Sequence, residues 1–253
     1  MADPSLPANR ILAIDVGATF TKSAFVDPSG SLIGDVRRER TTYPCTPSGL
    51  VGSLTKLIVV SGCNRVGVGV PVALEHGKVV GPGSFACAGG PSSAVDDGLM
   101  DLWLGFSPED ALRQSTRRDV RVVNDAALAA LGCADGRGTE LVLTLGTGLG
   151  LGLVVDGQLR LIPDVGWDVF REGETFDEAG GDEAMKRDLA RWNSSVLSMV
   201  EYFAHLYGAT TVHLAGGNAR SITLDPVAQR GYAVVVNSND RSLQGAARLF
   251  GSF

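Results

Sequence analysis

Between Leu141 and Leu161 the chain reads LVLTLGTGLGLGLVVDGQLRL, with two apolar runs on either side of Gly146-Thr147-Gly148-Leu149-Gly150. A third run follows Asp156-Gly157, the strongest short-range signal for a hairpin. The stretch therefore reads as strand, glycine turn, strand, tight turn, strand. Glycines let a backbone approach a ligand closely, and a turn of Gly and Thr offers N–H and hydroxyl donors to phosphate oxygens. A dinucleotide-binding fingerprint would need Gly-x-Gly-x-x-Gly with a helix directly behind it. Here the glycines alternate and strand follows, so that fold is rejected in favour of a phosphate-cradling hairpin.

The same plan opens the chain. Ile11 to Ile14 reads as a buried strand, Asp15-Val16-Gly17-Ala18-Thr19-Phe20-Thr21-Lys22 follows, Ser23 to Val26 returns, and Asp27-Pro28-Ser29-Gly30 turns into a third strand from Ser31. Two such units suggest an ancient duplication with slight sequence identity. The Asp15–Lys22 stretch is either an ordinary hairpin turn or a phosphate site. In the second case an Asp at a strand end can hold magnesium through water, while Thr and backbone N–H groups meet phosphate oxygens.

Further along, Pro47 to Leu57 is helix-like, and Leu57 to Val60 and Val66 to Val70 are apolar runs, the latter ending at a bend at Pro71. Glu75 to Lys78 reads as a hairpin turn with an exposed His76, residues 81 to 99 as a loop, and Ser107-Pro108-Glu109-Asp110 as a capped helix start. Val120 to Val123 is a strand that runs into Asn124-Asp125 and a helix from Ala126 to Leu131. Asp125 thus stands at a helix N-terminus, where it can be a cap or a general base held ionised by the helix dipole; from the residues alone, caps are the commoner case. Asp164-Val165-Gly166-Trp167 leads into an acidic, Gly-rich stretch up to Asp182. Two amphipathic helices follow between Asp182 and Tyr207, with Gly208 as the stop. Thr211 to Leu214 is a strand ending in Ala215-Gly216-Gly217-Asn218, Tyr232 to Val236 is the last strand, and Asp240 caps a final helix with Leu243, Ala246, Ala247 and Phe250 on one face.

The net charge of −6 disfavours a nucleic-acid partner, and the arginines at 37, 38, 40, 117 and 118 read as solvated faces. No apolar run reaches membrane-spanning length, and Met1 to Arg10 reads as a frayed terminus without a signal core. Cys45, Cys63, Cys87 and Cys133 lack metal-ligand spacing and fit structural thiols in a reducing cytoplasm.

Four stations stand in order: Asp15-x-Gly17-x-Thr19-x-x-Lys22, Asn124-Asp125-Ala126, Leu145 to Gly150, and Ala215-Gly216-Gly217. Their order and spacing resemble the ROK family of sugar kinases, within the actin-like ATPase-domain superfamily, and look nearest to its polyphosphate/ATP glucokinase branch. The resemblance implies an α/β protein of two actin-like (ribonuclease H-like) lobes with mixed sheets around a cleft. The first lobe would hold residues 1–122 plus 241–253, the second residues 123–240. It implies ATP and Mg2+ as cofactors. Gly17, Ala18, Thr19, Lys22, Gly146, Thr147 and Gly148 would hold the nucleotide phosphates, Asp15 would orient the metal, and Gly216, Gly217 and Asn218 would border the adenosine. Asp125 would take the proton of the attacking hydroxyl, with Asn124 beside it on the sugar.

Departures from the family pattern bear on the acceptor. The usual Glu-x-Gly-His is Asp164-Val165-Gly166-Trp167 here, the usual Pro-Gly is Pro71-Val72, a usual sugar-binding Asn falls at Ser84, and Ala18 replaces a glycine. An indole can stack on a ring or close the pocket. The zinc-binding cysteine cluster of some members is missing, so no zinc is expected. The leading expectation is a cytoplasmic, homodimeric kinase of a hexose, amino sugar or cyclitol. The alternatives are a sugar-sensing pseudokinase and a polyphosphate-dependent glucokinase. DNA binding is not expected, because ten residues precede the first strand.

Overall fold

The computed structural model describes residues 7, 9–91, 93–224 and 231–251. The expected frayed terminus falls largely outside them. The chain divides into two compact units: one runs up to Leu128 and takes in the segment from Ser242 onward, the other is Ala129–Arg241.

The first unit is built on β1 (Ile11–Val16), β2 (Phe20–Val26) and β3 (Leu32–Arg40), an antiparallel meander. Strand β1 is buried along its whole length because both faces are covered. Leu12, Ile14 and Val16 face Leu50, Leu54 and Ile58 of α1 (Pro47–Ser61). Ile11 and Ala13 face Leu243, Ala246 and Ala247 of the C-terminal helix. Helix α1 extends through the apolar run Leu57 to Val60, a correction to the expected end at Leu57, and stops where Gly62 adopts φ 68°. Strand β4 (Arg65–Val70) runs parallel to β1, and β5 (Ala73–Glu75) and β6 (Lys78–Gly81) form the hairpin turning at His76-Gly77.

The loop expected over 81–99 is also corrected. It contains a 3-10 turn, Gly83–Ala86, and gives way to α2 (Asp97–Trp103). The carboxylate of Asp96 accepts from the Leu99 N–H as its cap, and buried Trp103 donates to the Cys45 carbonyl at 2.8 Å. After α3 (Pro108–Thr116), β7 (Asp119–Asn124) joins β4 in parallel and completes a sheet of order β3-β2-β1-β4-β7. Helix α4 (Asp125–Cys133) carries the division between the units, which falls after Leu128.

The second unit repeats the plan. Strands β8 (Thr139–Leu145), β9 (Leu149–Val155) and β10 (Gln158–Arg160) form an antiparallel meander. The acidic Gly-rich stretch is more ordered than expected: it holds the hairpin β11 (Val169–Arg171) and β12 (Glu174–Thr175), then α5 (Phe176–Gly180) and α6 (Asp182–Arg187). A capping box, Thr175 with Glu178, starts α5. Helix α7 (Leu189–Tyr207) packs Trp192, Val196, Met199, Val200 and Phe203 on the sheet, each burial contributing about 1.5–3 kcal/mol. Strands β13 (Thr211–Ala215) and β14 (Ala233–Val236) add in parallel, giving the order β10-β9-β8-β13-β14. The chain ends in α8 (Arg241–Arg248). Strand for strand the two mixed sheets correspond, which is the geometry the paired hairpins predict. Among the described residues, no helix is long and apolar enough to cross a membrane.

A buried polar network ties the second sheet to the loop after α4. The Glu140 carboxylate accepts from the N–H groups of Asp135, Gly136 and Arg137 and faces His213 Nε2 at 3.0 Å, while Asn237 lies 3.3 Å from His213 Nδ1. Burial pushes the Glu140 carboxyl up, but the Asp135 N–H, the His213 ring and the Arg137 and Gly136 N–H groups outweigh it and leave the group below its ordinary 4.5. A carboxyl lowered on folding contributes stability above its unfolded value and loses it as pH falls through the folded one. Glu140→Ala should therefore cost about 3 kcal/mol at pH 7. Urea melts from pH 7 down to 3 should show the variant's deficit shrinking with acid; a constant deficit would contradict the network's ionic character.

Candidate active site

The phosphate-like turn after β1 is braced through its carbonyls. The Thr41 hydroxyl donates to the Gly17 carbonyl at 2.7 Å, the Tyr43 hydroxyl to the Ala18 carbonyl at 2.8 Å, and the Thr41 N–H to the Thr19 carbonyl at 3.0 Å. Three successive carbonyls are thus held toward segment 41–43, and the Thr19 side chain is exposed at the tip. Asp15 is 7% exposed and lies 2.8 Å from Lys22 Nζ, its cross-strand partner. The Ser242 hydroxyl donates to the same carboxylate oxygen at 2.5 Å and accepts from Lys22 Nζ at 3.2 Å. No pattern in the sequence pointed to Ser242.

Magnesium typically keeps several waters and takes one or two carboxylates plus substrate phosphates. Among the described residues no three His, Cys, Asp or Glu gather into an all-protein cage. The single carboxylate of Asp15, which bonds Lys22 and Ser242 through one oxygen, fits that water-rich mode through its other oxygen.

At the second station the cap is Asn124, not Asp125. Asn124 Oδ1 accepts from the Ala126 and Ala127 N–H groups at 2.9 and 3.2 Å, and its Nδ2 donates to the Val72 carbonyl at 3.1 Å. Asp125 is the first residue of α4, with its own Oδ1 accepting from the Ala126 N–H, and the helix dipole favours its negative charge. The Val72 side chain is fully buried in the core of the first unit, so this departure from the family's glycine is a packing feature. Ser84 lies half-buried on the 3-10 turn.

The third and fourth stations meet. The Gly146 N–H donates to the Gly148 carbonyl, leaving Thr147 exposed at the tip of the turn. Asn218 donates its backbone N–H to the Leu145 carbonyl at 3.0 Å and its Nδ2 to the Gly146 carbonyl at 3.1 Å. Gly216 passes at φ 89°, where a Cβ would overlap the Leu145 backbone. Gly217 lies between them in the turn.

A carboxylate that sequence reasoning missed ties this turn to the Asp164–Trp167 segment. Asp177 Oδ1 accepts from the Leu149 N–H at 2.7 Å, and its backbone N–H donates to the Gly166 carbonyl at 2.9 Å. Its carboxyl fills the space that a Cβ at Gly148 or at Gly166 would need. Burial pushes Asp177 above its usual range, opposed by the Leu149 N–H and helped by Asp164 and Glu178. The capping box around it was the only signal available. Asp164 is exposed and accepts from the Gly166 N–H at 3.1 Å, and Trp167 is 53% exposed. Thiol chemistry is not offered: the four cysteines are buried, and burial pushes Cys45 up to about 12.

Gly216→Ala should destabilise the protein by about 2 kcal/mol or more, from a positive φ and a backbone overlap together. The urea midpoint measures this; an unchanged midpoint would mean that the two turns are not clasped as described.

No protein-family model matches the chain. By sequence it is 28% identical over 165 residues to a glucokinase of Halalkalibacterium halodurans, a match that takes in 58% of this chain and spans 44% of that relative. By structure it matches an inorganic polyphosphate/ATP-glucomannokinase from Arthrobacter sp. strain KM, with a TM-score of 0.75 and 25% identity over 94% of this chain and 96% of that one. A ROK family glucokinase from Streptomyces griseus, in complex with glucose and AMPPNP, gives 0.65 at 18% identity over 95% and 98%. That last likeness speaks for the fold alone. The chain therefore carries the two-sheet, actin-like fold of the ROK-family sugar kinases, the family its four stations resemble.

Proposed function

We propose that this protein is an ATP-dependent kinase acting on a hydroxyl of a sugar or sugar-like polyol: a hexose, an amino sugar or a cyclitol. The observation that carries the reading is the clasp of Asn218 on Leu145 and Gly146, which brings the glycine turn and the Gly216-Gly217 turn into one constellation. Kinship with sugar kinases by sequence and structure supports it.

In this reading Gly146-Thr147-Gly148 and the turn Gly17-Ala18-Thr19 with Lys22 hold the nucleotide phosphates, and Gly216, Gly217 and Asn218 border the adenosine. Asp15 would hold Mg2+ through water, and the bound ion would supply charge neutralisation for phosphoryl transfer. The reaction needs little else beyond positioning. Asp125 accepts the proton of the attacking hydroxyl. Asn124 spends one amide hydrogen on Val72 and keeps a second for the sugar. Ser84, Asp164 and Trp167 are the proposed acceptor contacts, with Trp167 offering an apolar face where the family has a His. ATP is the proposed donor, since the sequence offers no extended basic track that would demand polyphosphate.

The cytoplasm, where four cysteines outside any disulfide and ATP both fit, is the proposed setting. Tyr202 and Leu206, exposed one turn apart on α7, are the proposed contact with a second copy.

Asp125→Asn should lower turnover by roughly 10^2–10^4-fold while leaving AMPPNP affinity close to wild type. Near wild-type turnover by that variant would remove Asp125 as the base. A wild-type protein that binds sugars by calorimetry without turning them over would instead be the sugar-sensing pseudokinase, the reading that Trp167 favours.

A further inference from the structure

We infer that Ser242 is a positioning residue for Asp15: the C-terminal helix delivers a hydroxyl that holds the carboxylate in one orientation. The inference rests on the reading of Asp15 as the residue that orients magnesium.

Along β1 the side chains of Ile11, Ala13 and Asp15 share one face, and α8 covers it. Leu243, Ala246 and Ala247 already provide the apolar packing against Ile11, Ala13, Ala24 and Val26. Ser242 adds nothing apolar to that contact. It is 7% exposed and reaches Asp15 from a residue 227 positions away in sequence.

Its hydrogen-bond roles are set by chemistry. An ammonium can only donate, so Ser242 Oγ accepts from Lys22 Nζ, and its one hydrogen goes to Asp15. Lys22 and Ser242 therefore hold the carboxylate from two directions, one across the sheet and one from the helix. The Ser242–Asp15 separation lies at the short end for O–H···O, as for bonds to an ionised acceptor. Removal of the hydroxyl leaves the Asp15 carboxylate with the ion pair to Lys22 Nζ, a single contact that does not fix its rotation.

The far end of α8 is anchored independently. The Arg121 side chain donates to the Leu249 carbonyl and stacks over the Phe250 ring at 4.7 Å. Loss of the Ser242 hydroxyl should therefore leave the helix in place.

Calorimetric binding of AMPPNP, with magnesium and with EDTA, tests the inference in wild type, Ser242→Ala, Ser242→Thr and Asp15→Asn, with thermal melts as the fold control. Ser242→Ala should bind magnesium–AMPPNP about tenfold more weakly, the loss expected for one hydrogen bond to a charged group. Its affinity in EDTA should be unchanged, and Ser242→Thr should restore the magnesium-dependent part. If Ser242→Ala does not fold, Ser242→Cys, similar in size and a poor donor, takes its place. Equal weakening with and without magnesium, or no weakening while Asp15→Asn is impaired, would overturn the role of Ser242. An Asp15→Asn variant that binds like wild type would overturn the reading of Asp15 itself, and the inference with it.

Discussion

The central strand of the second sheet, β8, must end against two neighbours at once, and its last carbonyls need donors. A buried strand end without partners would cost free energy comparable to lost hydrogen bonds. Asn218 meets both needs, donating from its backbone to Leu145 and from its side chain to Gly146. The approach is close enough that only glycine fits at 216. This single contact shapes the glycine turn, fixes where β13 hands over to the next turn, and leaves Thr147 projecting. The first sheet solves the equivalent problem differently: its turn carbonyls are bonded by Thr41 and Tyr43, and its strand-end acid by Lys22 and Ser242.

Much of this was legible in the sequence because it rests on local signals. Asp156-Gly157 and His76-Gly77 mark hairpins through turn chemistry alone. The repeated strand–turn–strand pattern predicted two matching meanders. The misses have physical causes of equal clarity. Helix α2 begins inside the stretch expected as loop because its reasons for folding are a cap by Asp96 and the burial of Leu99 and Trp103, the latter through a contact far off in sequence. Helix α5 is short, and its capping box stands among glycines and acids that read as loop. Asp125 looked like the cap because its position is right; Asn124 won because its carbonyl oxygen reaches two N–H groups. Ser242 was invisible and Asp177 was marked only by the capping box around it, since each matters through a partner that no pattern in one sequence can supply.

The segments proposed to contact the acceptor depart from the family pattern the sequence resembles, and the structure separates the departures. Val72 belongs to the core and leaves its carbonyl for Asn124. Asp164 and Trp167 are exposed, and the segment they sit on is pinned at Gly166 by Asp177.

The most direct measurement is ADP release with magnesium and ATP across a panel of hexoses, amino sugars and cyclitols, with glucose as reference and polyphosphate as a parallel donor. The account predicts ATP-dependent turnover of an acceptor in the panel, with an amino sugar or cyclitol preferred to glucose. Silence across the whole panel, from a folded protein that still binds sugars, would contradict it.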